Sequence, residues 1–408
     1  MSGWLLWFLV AALVLPPVRF AFGDSGAHPS LAIAAVGVGI AALRFDEWRL
    51  RIGGVGVAML LYTAAIAASV GMALLDSSGR VAAGSAMRVA LFAISVFVFF
   101  YAAYGPGAEG VDEKQFTRIL FWAAVGSALF ACVDFSFQFP APAGYARQFL
   151  WLTSGVYRRA QGVFYEASTL GNVCAFFLTM IAVEFARPQR LMARKWLLAG
   201  GVVIAAALVL SYSRSSLGNF AVAMAALWYL RRGRIRWGLV VLVVGVAIAV
   251  TLAVFPVFAE VYWERVFGSF RYFLQSPNAI LSGRLDSWSY LLGFLADHPW
   301  YWVLGVGYKT LAYSGFVGKK VIADNAYLSA LVETGVVGLA AMLGLCRAIL
   351  KEARRAAESE DGRASFFGTW IFCFWCGEMA QMLSGDLLTF WRVLPVYFWV
   401  LGRAVRER

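Results

Sequence analysis

The sequence predicts an all-α polytopic membrane protein, and three observations carry that prediction. Hydrophobic residues fill 61% of the 408 positions and charged residues only 14%, with a mean hydropathy of +0.72. Soluble domains carry about 25% charged residues. Roughly a dozen apolar runs approach the about 20 residues that a span needs. No alternation of strand period recurs along them, so the spans read as helices, whose backbone groups are satisfied internally in a bilayer.

Taken in order, the first run extends from Trp4 through Pro16-Pro17 to Phe22. It lacks a charged start, so it reads as a span and not as a cleaved signal. Further spans are expected near 30–43, 53–75, 87–104, 117–137, 168–186 and 196–211. One more follows the turn at 211–216, and others are expected near 237–256, 325–346, 366–382 and 388–404. No repeat of fixed period and no linker divides the chain, so residues 1–408 read as a single integral membrane domain.

The net charge of +12 is concentrated between spans. Arg44, Arg49 and Arg51 form one basic loop, and Arg187, Arg190, Arg194 and Lys195 a second. Arg231, Arg232, Arg234 and Arg236 make a third, the group from Arg347 to Arg363 a fourth, and Arg403, Arg406 and Arg408 a basic tail. Basic residues in short loops mark the cytoplasmic side, which explains the charge without a nucleic-acid partner. That assignment puts both termini in the cytoplasm and the loops at 138–167, 211–216 and 257–324 outside. The acidic loop at 105–115 carries little weight, because acidic residues contribute little to this rule.

Metal and redox chemistry find little support. Cys132, Cys174, Cys346, Cys373 and Cys376 all lie in or beside apolar runs, and the Cys373-x-x-Cys376 spacing sits inside an expected span. Two histidines, His28 and His298, are too few for an ordinary zinc site.

The outer loops hold arginines that the topology rule does not explain. Arg158-Arg159 precedes Ala-Gln-Gly162-Val-Phe164-Tyr-Glu166. Arg214 sits in Ser211-Tyr-Ser213-Arg214-Ser215-Ser216, a tight turn between two spans. An arginine there is costly in hydrocarbon, so it should face water or an anion, and a helix start favours anions as well. Arg284 lies in Leu281-Ser-Gly283-Arg284-Leu-Asp286-Ser-Trp288. From there Leu285, Trp288, Leu291, Leu292 and Leu295 recur at helical spacing, and Trp300, Tyr301 and Trp302 suit an interface. Asp324, before Asn325-Ala-Tyr327-Leu, fits two roles: the N-cap of the next helix, or a general base. Glu166 is a second carboxylate in an outer loop. Gly335 and Gly338 read as helix packing through small residues, and Asp286 and His298 as structural.

Together these pieces resemble the signature block of the O-antigen ligase and polysaccharide polymerase family. They are Gly283-Arg284-Leu-Asp-Ser-Trp, His298-Pro299 with Gly305-x-Gly307, Asp324-Asn325-x-Tyr327-Leu, and Glu333-x-Gly335-x-x-Gly338. An Arg-x-x-Gly-x-Phe stretch (Arg159, Gly162, Phe164) and the Ser-Arg-Ser turn at Arg214 resemble the same family. The resemblance covers the C-terminal two thirds of the chain.

It implies a largely helical fold of the C glycosyltransferase type, with about twelve spans and a large extracytoplasmic loop at 257–324. It further implies an inverting, metal-independent transfer from an undecaprenyl-pyrophosphate-linked glycan to a glycan acceptor, with no cofactor. The setting would be the outer face of a bacterial inner membrane, among membrane lipids and with flippase and chain-length regulator proteins as partners. Arg158, Arg159, Arg214, Arg284, Asn325 and Tyr327 are then candidates for substrate binding. Arg284 and Arg214 would stabilise the leaving pyrophosphate, and Asp324 or Glu166 would be the base. Ligases of the family often have His-Asn where this chain has Asp324-Asn325. That departure favours a polymerase of repeat units over a ligase to lipid A-core. A lipid-linked oligosaccharide transporter would also be polytopic, but internal repeats would be expected of it.

Overall fold

In a computed structural model the described residues are 3–18, 21–22, 25–26, 28–106, 112–140, 148–152, 155–187, 190–231 and 283–406, with isolated positions between 238 and 249. The first helices are α1 (Gly3–Val14), α2 (Ser30–Leu43), α3 (Gly54–Asp76), α4 (Gly79–Tyr104), α5 (Glu113–Phe137), α6 (Ala167–Phe185), α7 (Arg194–Leu210) and α8 (Arg214–Leu230). Later come α9 (Arg284–Asp297), the short α10 (Tyr301–Leu304), α11 (Ala326–Ala357), α12 (Gly362–Gln381) and α13 (Leu394–Val405). Helices α3, α4, α5, α6 and α11 are long and apolar enough to cross a membrane, and α1, α2 and α13 are shorter apolar helices. The expected span at 237–256 and the 257–282 part of the expected outer loop lie outside the described residues.

Most boundaries follow the hydropathy, and those that move do so for a physical reason. Helix α1 ends at Val14, before Pro16-Pro17, so the first apolar run does not stay helical to Phe22. Helix α4 begins at Gly79, where the Ser78 hydroxyl accepts the Val81 N–H at 3.4 Å. Arg88 interrupts its apolar run in the sequence. In the fold Arg88 turns aside, donating to the Lys309 carbonyl at 3.2 Å and lying 3.9 Å from the Tyr313 ring centre. Helix α11 runs on to Ala357, with Arg354 and Arg355 in its last turn, where cations suit the helix dipole. The polar passage at 138–167 contains a short antiparallel hairpin, Phe149–Leu152 with Gly155–Arg158.

The core is built around α12, which packs on α8, α11, α13 and α6. Trp370, Phe374 and Trp375 of α12 are fully buried with Phe176 of α6 and Tyr397 and Trp399 of α13. Aromatic rings supply most of this contact, and the Trp370 indole donates to the Phe176 carbonyl at 2.9 Å. In a bilayer such packing holds helices together, since lipid offers no hydrophobic drive between them.

Contacts sort the connections into two ends. At one end Arg49 N–H donates to Tyr104 O, Arg118 to Leu191 O and Arg187 to Gly362 O. Arg231 reaches Ser365 and Thr369 there, and Arg363 pairs with Glu113 at 3.0 Å. At the other end Ser77 meets Ser314, Arg159 meets Ser211, and Arg392 donates to Val163 O. Every second loop therefore lies at the same end, as the basic-loop pattern requires. The basic residues also tie helix ends together, a role their charge alone does not indicate.

Helix α11 is broken in its first third. Gly335 has φ +67°, and a Cβ there would fall 2.0 Å from the Val303 carbonyl oxygen. The break deprives the carbonyls of Val332 and Glu333 of helical partners. They accept instead from the N–H groups of Val306 at 3.0 Å and Gly307 at 2.9 Å. Irregular backbone in a helix that crosses a membrane is tolerated only when protein satisfies it. Gly335 therefore serves a kink that docks the 305–307 segment, in addition to the close packing expected from the sequence, here against α10.

Candidate functional site

The residues singled out in the sequence gather at one end of the bundle in two groups. The first forms where α9 starts beside the approach to α11. Gly283 enters α9 in the left-handed region with φ +78°, and Arg284 is its first residue. Asp324 also has positive φ, +45°, a region that Asp tolerates better than most residues. These turns place Arg284 Nε 3.5 Å from Asp324 Oδ2, with the arginine side chain mostly buried and the carboxylate half-exposed. Among the described residues the buried Arg284 Nε has no hydrogen-bond acceptor.

Asn325, not Asp324, caps α11. Its Oδ1 accepts the N–H groups of Tyr327 at 3.0 Å and Leu328 at 3.1 Å. The cap and the free carboxylate are thus separate residues. Tyr327 donates its hydroxyl to the Met379 carbonyl at 2.8 Å, tying the start of α11 to the end of α12.

The second group forms around the turn between α7 and α8. Arg159 Nε donates to the Ser211 carbonyl at 2.8 Å, which joins the Arg159 segment to the turn that carries Arg214. Ser213 caps α8 by accepting the Ser216 N–H at 3.3 Å, leaving Arg214 as the first, exposed residue of the helix. Arg158 has a different fate: its guanidinium is buried 2.6 Å from the Asp134 carboxylate of α5. Glu166 stands just before α6, its two oxygens accepting the Ser168 and Thr169 hydroxyls, each at 2.8 Å.

The end of α12 carries a tie to each group. Met379 accepts from Tyr327, and Gln381 donates to Ser216 at 3.0 Å. Both groups are therefore referred to the same stretch of backbone.

A cavity of about 340 Å³ opens beside the first group, lined by Arg88, Lys309, Asp324, Glu333, Asp386 and Trp391. Lys309 is its hub. Its ammonium pairs with Asp386, lies 3.3 Å from Glu333 Oε2 and donates to Ser329 Oγ at 3.1 Å. The Ser329 hydroxyl in turn lies 3.0 Å from Glu333 and 3.1 Å from Asp386. Burial pulls the Lys309 amine below the ordinary lysine value, while Glu333 opposes the shift. Sequence reasoning passed over Arg88, Lys309 and Asp386. The available signal was a charge inside or beside an apolar run, which is costly unless partnered. A larger groove of about 1250 Å³ opens at the opposite end, between Trp48, Arg51 and Arg355, away from the Arg284–Asp324 pair.

His298 follows the end of α9, with Nδ1 3.0 Å from the Phe294 carbonyl, and Asp286 lies in the first turn of that helix. Among the described residues no group of three or more His, Cys, Asp or Glu side chains could hold a metal ion.

Residues 199–343, about a third of the chain, match the family model described as O-antigen ligase. The match supports a membrane function of the ligase or polymerase type. It includes Arg214, Arg284, Lys309, Asp324, Asn325, Tyr327 and Glu333, and it leaves Arg159, Glu166, Arg88 and Asp386 outside. No curated protein matches the chain.

Proposed function

We propose, with the family of residues 199–343 as premise, that this chain is a membrane glycosyltransferase. It transfers a glycan from a polyprenyl-pyrophosphate carrier to a hydroxyl of an acceptor glycan. The observation that carries this reading is the Arg284–Asp324 pair, 3.5 Å apart beside a polar cavity at the arginine-bearing end. Guanidinium offers a planar fork of donors that matches phosphate oxygens and stays charged at any relevant pH. Apolar surfaces between helices suit the polyprenyl tail.

The bond changes are simple. The acceptor hydroxyl oxygen attacks the anomeric carbon, the bond from that carbon to the pyrophosphate oxygen breaks, and the electron pair leaves with polyprenyl pyrophosphate. Charge grows on the leaving oxygen, so fixed cations stabilise the transition state more than the ground state. We assign that role to Arg284 and Arg214, with Arg159 holding the donor. The hydroxyl proton passes to Asp324, since Asn325 already serves as the cap. Attack opposite the leaving group inverts the anomeric centre. The arginines supply the charge that a metal would otherwise provide, so no metal is needed.

The carboxylate in place of the family's frequent histidine favours a polymerase, which extends one carrier-linked glycan with another. We place the reaction on the outer face of a bacterial inner membrane, with both termini inside. The test is purified protein with a carrier-linked repeat unit, without nucleotide and in the presence of EDTA. Formation of carrier-linked oligomers supports polymerisation. Transfer only to a lipid A-core acceptor would make the chain a ligase, and no transfer to either would sink the proposal.

A further inference from the structure

A carboxyl group lies buried in the bundle and takes no part in the chemistry above. Glu378, on α12, is 1% exposed, and among the described residues its hydrogen-bond partners are neutral amides. Its Oε2 accepts from Asn172 Nδ2 of α6 at 2.6 Å and from Asn219 Nδ2 of α8 at 3.1 Å. The same two amides also donate to Gln381 Oε1, at 3.0 and 2.9 Å. Each asparagine thus bridges the carboxyl and the carboxamide, which stand one helical turn apart on α12. Tyr397 of α13 donates to Asn172 Oδ1 at 2.6 Å. Toward the surface, Gln381 Nε2 donates to Ser216 Oγ at 3.0 Å, and Ser216 Oγ meets Ser213 Oγ at 2.7 Å. Ser213 immediately precedes Arg214.

The network therefore runs through α6, α8, α12 and α13 and ends on the turn that presents an arginine. Its geometry is tight. Gly377 admits α8 so closely that a Cβ would fall 2.2 Å from the Asn219 carbonyl oxygen. Stability does not account for such an arrangement. Interhelical hydrogen bonds in membranes contribute about 0.6 kcal/mol on average, and well-packed apolar side chains often replace a buried polar cluster at no loss. A connected network does fix one arrangement, because any rotation or slide of α8 against α12 leaves several buried groups unpaired.

We propose that Gln381, Glu378, Asn172 and Asn219 are positioning residues that hold the Ser211–Ser216 turn, and with it Arg214, in one orientation. The turn is otherwise a tight link between two helices, tied by Arg159 on its outer side. The inference deepens the transferase reading and rests on it only where activity is the readout.

Two measurements separate the inference from that reading. Amide hydrogen exchange over 211–217, on the full chain in lipid nanodiscs, reports the turn directly. Gln381→Leu removes the link to Ser216 while keeping the volume close, and it should speed exchange there about tenfold or more without changing exchange in α5. Unchanged exchange overturns the proposal whatever reaction the protein runs. For turnover of a carrier-linked glycan, Gln381→Leu should lose about tenfold to a hundredfold. The same change in an Arg214→Ala background should cost nothing more, because its effect passes through Arg214. Additive losses would show that Gln381 acts elsewhere and would overturn the assignment. Should Gln381→Leu fail to fold, Ser216→Ala removes the hydroxyl that joins Gln381 to Ser213 and carries the same two readouts. Glu378→Gln, which keeps an acceptor oxygen for both asparagines, should retain slow exchange at the turn. Fast exchange in that variant would show that an acceptor oxygen alone does not hold the turn, and would overturn the role given to Glu378.

Discussion

Asp324 reaches toward Arg284 across 3.5 Å while its neighbour Asn325 does the capping of α11. The two adjacent side chains have separate tasks, and substitutions should separate them. Asp324→Asn should insert and melt like wild type but lose more than about a hundredfold in turnover, the scale of general-base loss. Asn325→Ala should instead lower stability by about 1 kcal/mol. Arg284→Lys should cost nearly as much activity as Arg284→Ala, since lysine keeps the charge but lacks the fork. Near-normal chain extension by Asp324→Asn would shift the search for the base to Glu166.

Lys309 holds Asp386 and Glu333 together in a largely buried cluster. Lys309→Met should destabilise the protein by about 3–5 kcal/mol, because it strands buried carboxylates. Thermal unfolding in detergent measures this, and a wild-type melting temperature would mean that water already serves those groups.

Protonation of His28 should weaken the fold in mild acid. Its Nε2–H donates to the Leu15 carbonyl at 2.8 Å, and its Nδ1 accepts from the Ser30 N–H at 3.2 Å, so the ring is neutral. Burial, and then the positive charge of Arg392, hold its pKa down to about 4. The unfolded chain, near 6.5, binds the proton more readily than the folded one throughout the interval between these values. Stability should therefore fall as pH drops from about 6.5 toward 4. The difference between wild type and His28→Gln should carry that slope. Parallel stability curves for the two proteins would exclude His28 as the cause.

Sidedness follows from the sorting of loops. Single cysteines at Ser215 and Lys320 should react with an impermeant maleimide in intact cells, and cysteines at Arg194 and Ser359 only after lysis. Labelling of position 359 in intact cells would reverse the proposed active face.

The sequence made the helical, apolar character of the chain legible because a bilayer imposes a length and a polarity on each span; among the described residues, five of the roughly twelve expected runs are helices long and apolar enough to cross. Arg284, Asp324, Arg159 and Arg214 stand out in the sequence because a charge or a polar turn contrasts with apolar neighbours, and the fold places Arg284 beside Asp324 and Arg159 on the turn that carries Arg214. Arg88, Lys309 and Asp386 were not legible, since they lie far apart in the chain and only the fold shows that they share a cavity. The choice between cap and base for Asp324 was not legible either: Asp and Asn are equally good N-caps, and only the fold shows that Asn325 takes the cap. The kink at Gly335 was not legible beyond its packing role, because a glycine in a helix pattern does not announce its backbone angle.

Gly335→Ala should be among the most damaging small substitutions in the chain. The position combines a left-handed φ with a backbone oxygen 2.0 Å from the added carbon. Strain of about 1–3 kcal/mol is expected from the dihedral alone, and the contact adds to it. Little folded protein by size-exclusion in detergent is the expected outcome, and a normal yield would show that the kink can relax.

The same kink decides what can move. The N–H groups of Val306 and Gly307 complete the broken backbone of α11, so the segment that leads to Lys309 is stitched into a transmembrane rod. A lid needs a hinge that opens cheaply, and opening here would break both backbone hydrogen bonds to α11 and take those donors from its two carbonyls. The wall of the cavity that carries Lys309 is therefore anchored to α11 through the backbone.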